Sequence, residues 1–490
     1  MAAGDQEKKM LPVKNIGLIS GIVFFVLILI LVPEDLIGSN SNRVLAVAAL
    51  VIFWWVTEAV PMPVTALLPL LLFPFLGVMT AREAAGPYAD PIIFLFMGGF
   101  LIALALEKHR LHERIALNLI SFTGTSGNQI ILGFMIATAG ISMWISNTAT
   151  AMMMLPIAAA VVNLLKADPQ QRPEDLSKNE KQFALGLMLA VGYSATLGGL
   201  ATPIGTPPNV VFKGLLNNFY QEELDFVTWM LVGVPVMIAL VLSTYLIITR
   251  ILFPNRLQHI QGSRELIRDR LRELGPLRAE EKKVLAIFFA TSLMWIFQQY
   301  LNRAVIGREV FTDTNIAMCG GLLMFLVPSG KGQPLLQWSD TRNLAWGILI
   351  LFGGGLCLAK ALEGAGMIQF VGNMVAAKSA YGPWLVFLLI VSSVILSEFM
   401  SNVALVQIFV PVVFGISDAL GVNPVLLAMP VTLSASIGFM FPVATPPNAI
   451  VFASGYIRIK DMMRAGLLLD LVSVIIVLLA SMTLIRWVYG

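Results

Sequence analysis

Gly205-Thr206-Pro207-Pro208-Asn209 and Ala444-Thr445-Pro446-Pro447-Asn448 share Thr-Pro-Pro-Asn within one chain, and the reading of that repeat decides the fold. Proline is favoured at the first position of a helix, where its missing N–H is not needed, and it pushes the preceding residue out of the α region. Each segment is therefore expected to end one helix at Gly205-Thr206 or Ala444-Thr445 and to start another at Pro207 or Pro446. Such a break frees backbone carbonyls that can take a cation and leaves a helix N-terminus that favours an anion. A simple proline kink is the plainer alternative.

Two further pairs argue against the kink. Leu95-Phe96-Met97-Gly98-Gly99 in the first half matches Leu351-Phe352-Gly353-Gly354-Gly355 in the second. Ser146-Asn147-Thr148, followed by Pro156, matches Ser401-Asn402-Val403, followed by Pro411. Three matches in one order mark an internal duplication.

Of the 490 residues, 57% are hydrophobic and 12% charged, about half the charge of a soluble domain. A soluble fold is excluded. Spans are expected near 16–33, 43–60, 62–79, 92–108, 183–219, 226–253, 283–301, 315–328, 344–361, 423–455 and 462–486. The segments 128–165 and 383–420 are each interrupted in the middle by Ser-Asn and have arms short for independent crossings, so they read as re-entrant helical hairpins. The expected fold is all-α and polytopic, with about eleven transmembrane helices, two hairpins and two repeats. Five expected spans separate the two Ser-Asn positions, an odd number, so the repeats should be inverted.

The expected units are a tail and first helix over 1–42, a first repeat over 43–253, a basic linker over 254–282 and a second repeat over 283–490. The uncharged stretch after Lys8, Lys9 and Lys14 leads to Pro33, Glu34 and Asp35 with no small-residue cleavage site, so it reads as a retained helix. Eight Lys or Arg lie between Pro254 and Lys283, which should keep that loop and the basic N-terminus cytoplasmic and the C-terminus outside. The linker reads as an arginine-rich surface helix, a solvated connection more readily than a lipid site.

Ser-Asn-Thr at a hairpin tip can cap the following helix with its side-chain oxygens while the helix dipole favours negative charge. Neither tip nor break motif contains Lys or Arg, yet a carboxylate at the membrane centre costs several kcal/mol or more. Bound cations are the natural remainder, and hydroxyls, asparagine oxygens and freed carbonyls are hard ligands suited to sodium. Charge balance calls for at least two sodium ions per dianion and no organic cofactor. The formal charge of +3 gives no sign of nucleic acid. Cys319 and Cys357 lie in apolar segments and suggest no redox chemistry. An enzyme is disfavoured by the lack of a Ser/His pair or paired Asp in the apolar segments. Glu58, Glu107, Lys360, Glu363 and Glu398 lie in or beside spans; the first and last are those that could pair or titrate.

Together with Thr57-Glu58-Ala59-Val60-Pro61, these motifs resemble the divalent anion/sodium symporter family, the INDY-type dicarboxylate transporters. The resemblance implies sodium-coupled symport of a C4 dicarboxylate such as succinate, malate or fumarate, by a homodimer whose transport domains move on a static scaffold in an elevator motion. It also implies one sodium site at Ser142, Ser146, Asn147 and Gly205 and another at Ser397, the Met400 backbone, Asn402 and Ala444. The anion would contact Asn147, Thr148, Thr206, Pro207, Ser401, Asn402, Thr445 and Pro446, with Val403 in place of the threonine of several relatives. Exchange without sodium, or citrate as main substrate, are the neighbouring readings. Val403→Thr, which adds a hydroxyl at the second tip, should shift relative affinities among di- and tricarboxylates with little effect on folding. Competition against labelled succinate checks this, and unchanged ratios place residue 403 away from the anion.

Overall fold

A computed structural model describes residues 2–34, 36–166, 176–306, 308, 310–330, 332–378 and 380–490, leaving aside the side chains of 2–14, 304 and 305. Asp35, and residues 167–175 within the first expected repeat, lie outside the described residues. The described chain is helical, with no strand beyond one bridge between Pro328 and Pro334.

Seven described helices are long and apolar enough to cross a membrane: Ala81–Lys108, Lys178–Ala201, Phe226–Leu252, Ala279–Arg303, Trp346–Gly364, Asn402–Leu420 and Ile459–Tyr489. Their burial sorts them into layers. Lys178–Ala201 is 94% buried inside the protein, whereas Ala279–Arg303 is 33% buried. The first is therefore a central post, and the second offers most of its apolar surface outward, as a lipid-facing helix does.

Shorter apolar helices make up much of the remainder. The expected crossing over 62–79 is two pieces, Met62–Thr65 and Leu68–Phe75. Pro69 sits in the first turn of the second piece and lacks the N–H that would continue the ladder. The Ala66 carbonyl at the joint is taken instead by the Tyr88 hydroxyl at 2.5 Å, which meets the requirement that backbone groups in an apolar surrounding find partners. The expected span 315–328 is Asp313–Leu326, packed on Pro91–Lys108. The contact is so close that a Cβ on Gly98 would stand 2.6 Å from the Ala317 carbonyl oxygen, the small-residue packing that joins helices without a hydrophobic drive.

Two amphipathic helices are additional to the sequence expectation. Leu111–Ser121 follows Pro91–Lys108, and Met367–Ala376 follows Trp346–Gly364. Each begins after a residue of positive φ, Arg110 at 55° and Gly366 at 71°. At 11 and 10 residues they extend only about 16 Å, too short to cross.

The linker is less detached than a solvated connection would be. Its arginine-rich helix is Ser263–Glu273, and the next helix already begins at Ala279. Upstream, Gly127 N–H donates to Leu257 O and Ile260 N–H donates to Thr125 O, both at 2.9 Å. Asn255 Nδ2 donates to Asn128 Oδ1, also at 2.9 Å. The linker is thus fastened to the start of the first hairpin.

Candidate functional site

The first Ser-Asn motif joins the helices Gly127–Ser142 and Asn147–Asn163, and the second joins Pro383–Ser397 and Asn402–Leu420. The first break runs from the end of Lys178–Gly198, through a 3-10 turn Gly199–Ala201, to Pro207–Tyr220. The second lies between Pro424–Ala435 and Pro446–Phe452. Prolines occupy the first turn after both breaks, and Thr206 and Thr445 are both extended, with φ of −143° and −140°. The helix stops where the pre-proline residue cannot be α and restarts where proline is tolerated.

What shapes each break is an asparagine. Asn209 Nδ2 donates to Gly199 O at 3.0 Å and to Thr202 O at 2.9 Å. Asn448 Nδ2 donates to Gly438 O at 2.9 Å and to Phe441 O at 3.2 Å. In both halves the acceptors lie ten and seven residues upstream. Both side chains are fully buried, and the Oδ1 of each has no partner among the described residues. Both asparagines belong to the repeated Thr-Pro-Pro-Asn motif, whose local sequence does not assign them this role. The signal was their repetition directly after Pro-Pro.

The hairpin tips close on the breaks. Ser142 Oγ lies 2.8 Å from Asn147 Oδ1 and 2.6 Å from Ala195 O. One hydroxyl proton serves one acceptor at a time, so three oxygens converge with fewer protons than they could use. A Cβ on Gly199 would stand 2.7 Å from Asn147 Oδ1 and 3.0 Å from Thr206 Cβ, and one on Gly205 would stand 2.5 Å from Gly199 O. Asn147, Gly199, Gly205 and Thr206 thus form one cluster.

In the second half, Ser397 Oγ lies 2.7 Å from Ile437 O and 2.9 Å from Val394 O. A Cβ on Gly438 would meet Ser397 Oγ at 3.2 Å and Ala444 Cβ at 3.3 Å. Asn402 Oδ1, Ser434 Oγ and Ser436 Oγ are buried without partners among the described residues. Ser146 caps its helix as expected, accepting from Ala149 N–H at 3.2 Å. Ser401 makes no side-chain cap.

Thr148, Pro207, Met400, Ser401, Asn402 and Val403 are half-buried, Ser146 and Pro446 are exposed, and Thr206 and Thr445 are buried. Among the described residues no hydrogen bond joins the first set of site residues to the second. The sets are linked crosswise by packing instead: Pro446–Phe452 lies against Asn147–Asn163, and Pro207–Tyr220 lies against Asn402–Leu420.

Glu398 is where the halves differ. It is 3% exposed and takes three backbone donors of the second break: Oε1 accepts from Phe439 N–H at 2.8 Å and Met440 N–H at 3.0 Å, and Oε2 from Phe441 N–H at 3.3 Å. The first half has Met143 directly after its serine, and there the Met143 carbonyl accepts from Thr202 Oγ1 at 2.6 Å. Glu58 is exposed, ending its helix at φ 47°. Lys360 is exposed and Glu107 and Glu363 are half-buried; all three lie outside both clusters.

A helical multi-pass membrane protein with two paired hairpins and two broken helices, whose oxygen-rich clusters lie between crosswise-packed elements, has the features of a secondary transporter. The chain belongs to the family described as the sodium:sulfate symporter transmembrane region, whose model matches residues 13–490. It is 40% identical over 482 residues to the sodium-dependent dicarboxylate transporter SdcS of Staphylococcus saprophyticus, covering 97% of this chain and 92% of that one. The protein of the same name in Staphylococcus aureus strain MRSA252 is 38% identical over 494 residues, covering 99% and 94%. The crystal structure of the Alcanivorax borkumensis YdaH transporter is similar in fold, with a TM-score of 0.52 and 13% identity over 84% of this chain and 87% of that one.

Asn209→Ala and Asn448→Ala should each strand two buried carbonyls, at about 1–3 kcal/mol for each unsatisfied group. Each variant is expected to melt at lower temperature, and its break, 199–206 or 436–445, should gain protease sensitivity. Unchanged melting would mean that the asparagine amides do not hold the loops.

Proposed function

We propose that this protein is a sodium-coupled symporter of C4 dicarboxylates. Family membership, and the sodium-dependent dicarboxylate transporters aligned over almost the whole chain, support it. The observation that carries it is the pair of clusters rich in neutral oxygens, Ser142, Asn147 and Ala195 O in one and Ser397, Ile437 O and Asn402 in the other. Oxygens short of protons accept a hard monovalent cation.

In this reading one sodium ion is held by Ser142, Ser146, Asn147 and Gly205, and another by Ser397, the Met400 backbone, Asn402 and Ala444. The dicarboxylate rests on the tips and helix starts, contacting Asn147, Thr148, Thr206, Pro207, Ser401, Asn402, Val403, Thr445 and Pro446. Each helix start contributes about half a positive charge as a fixed dipole end, which favours the anion but does not remove the cost of bringing a dianion to the membrane centre. At least two cations complete the balance, and no organic cofactor takes part. Because Asn147 and Asn402 serve both cargoes, each cargo orders the site for the other.

The two repeats, 43–253 with its hairpin over 128–165 and 283–490 with its hairpin over 383–420, sit inverted in the cytoplasmic membrane. The tail and first helix, 1–42, precede them and the basic linker, 254–282, joins them. The N-terminus and linker face the cytoplasm and the C-terminus faces outside. The protein works as a homodimer, with hairpins and broken helices moving as one domain against a scaffold.

Uptake of labelled succinate into proteoliposomes that contain no internal dicarboxylate should require an inward sodium gradient. Asn147→Ala and Asn402→Ala should each lower it at least tenfold, about 1.4 kcal/mol, in protein that still elutes as a dimer. Uptake that needs internal dicarboxylate and ignores sodium would overturn symport.

The elevator motion makes a second demand. Lys213 on Pro207–Tyr220 forms an ion pair with Asp313 at the start of Asp313–Leu326, both side chains 7% exposed. The first helix belongs to the moving part and the second to the scaffold, so this pair must part in each cycle. Lys213→Cys with Asp313→Cys, in protein whose Cys319 and Cys357 are replaced by alanine, is expected to lose nine-tenths of its uptake when cross-linked and to regain it on reduction. Full uptake in quantitatively cross-linked protein would show that this interface does not move.

A further inference from the structure

We propose that the cavity between the first hairpin, the turn after Leu111–Ser121 and the linker helix Ser263–Glu273 is a binding site for an anionic phospholipid of the cytoplasmic leaflet. The cavity is about 220 Å³. Its floor is apolar, made by Ile120, Ile130, Phe134, Val161, Ile267 and Leu271. Arg264 and Arg268 line it as well, one helical turn apart and exposed. Side chains four residues apart on a helix share a face, so the two guanidiniums stand over the same opening.

These arginines differ from their neighbours. Arg270 pairs with Glu273 and Arg272 with Asp269, each at 3.2 Å. Among the described residues neither Arg264 nor Arg268 has an ion-pair or hydrogen-bond partner. Two cations without a partner among the described residues, above an apolar floor, are complementary to a phosphate joined to hydrocarbon. Phe122, next to the cavity-lining Ser121 and Thr123, is 86% exposed, which is costly in water and favourable against acyl chains.

The cavity's size narrows the occupant. It is below the roughly 300 Å³ at the lower end for a drug-sized ligand, so it takes part of a larger amphiphile whose remainder lies in the bilayer. A soluble dicarboxylate would satisfy the arginines but leave the floor wet. The location is also suitable, because the linker's position on the cytoplasmic side, proposed above from its charge, puts the arginines against the leaflet with the negative surface potential.

The consequence is mechanical. Ile130 and Phe134 lie on one arm of the first hairpin and Val161 on the other, while Ile267 and Leu271 lie on the linker helix. A lipid seated here touches both arms and the linker together. It reinforces the backbone bonds that already join Gly127 to Leu257 and Thr125 to Ile260.

The test uses the full-length protein in nanodiscs of phosphatidylcholine with added phosphatidylglycerol, followed by delipidation and native mass spectrometry of retained lipid. Wild type should keep phosphatidylglycerol over phosphatidylcholine. Arg264→Gln with Arg268→Gln should lower that preference by about tenfold or more, the loss expected when a hydrogen bond to a charged group is removed. Arg270→Gln with Arg272→Gln removes the same charge from the same helix and should leave the preference within about twofold of wild type. Ile267→Trp, which fills the floor, should also displace the lipid.

Equal losses in the two arginine pairs would reduce the effect to bulk surface charge and overturn the site. So would equal retention of both lipids, or displacement of phosphatidylglycerol by millimolar inorganic phosphate, which would indicate a soluble-anion site. Lipid retention unaffected by Ile267→Trp would overturn the cavity as its seat. None of these readings uses transport, so they stand apart from the outcome of the symport experiment.

Discussion

The donation of one asparagine amide to two loop carbonyls, made once in each half, is the interaction on which the rest of this structure depends. A helix interrupted away from water strands polar backbone groups, and each stranded group costs several kcal/mol unless it finds a partner. Asn209 and Asn448 supply that partner from the first turn of the helix that restarts the path, so each break closes upon itself. The remaining carbonyls and the asparagine Oδ1 atoms are then held in place without being used up. A loop shaped this way stays open to a cation because its scaffolding bonds are made by N–H donors and leave oxygens spare.

The second constraint is steric. Gly199 and Gly438 let the hairpin tips come within contact of the loops, and a single methyl group at Gly199 would collide with the Asn147 side chain. The halves agree on this geometry but not on how the loop's other side is fixed. A threonine hydroxyl bonded to a tip carbonyl does it in the first half, and the Glu398 carboxylate bonded to three loop amides does it in the second. A duplicated fold need not keep identical chemistry. Glu398 places a carboxylate directly behind the second loop, so the two cation sites proposed above are unequal electrostatically even though their nearest oxygens are alike.

Much of this was legible in the sequence, for identifiable reasons. Pro-Pro after threonine dictates a helix restart through local sterics alone, and the Ser-Asn tips repeat at matching distance from Pro156 and Pro411. The two asparagines were visible, but their acceptors lie ten and seven residues upstream around a loop whose path no local rule supplies. Glu398 stood out as an acid in an apolar run, yet its partners lie about forty residues away, in a break that is adjacent only after folding. The amphipathic helices Leu111–Ser121 and Met367–Ala376 do not register as spans because both are too short, and the first is also polar. The short piece Met62–Thr65 was absorbed into a single span because proline-rich apolar sequence gives no hydrophobic gap at the joint.

The placement of charge connects the site to the motion proposed for it. Residues 142–148, 199–209, 397–403 and 438–448 contain no lysine or arginine, and the first basic side chain beyond the first break, Lys213, is committed to Asp313. A fixed cation at the site would hold a dicarboxylate without help from sodium and would couple nothing. With helix starts, neutral oxygens and the Glu398 carboxylate but no basic side chain, anion and cations each complete what the other lacks, and a partly filled site stays uncompensated. A buried pair such as Lys213 and Asp313 costs several kcal/mol to break by exposing one partner to an apolar surrounding. Such a cost, set at the boundary between the broken helix and its neighbour, is a barrier that a neutralised, fully loaded site is better able to cross than one carrying an unbalanced charge.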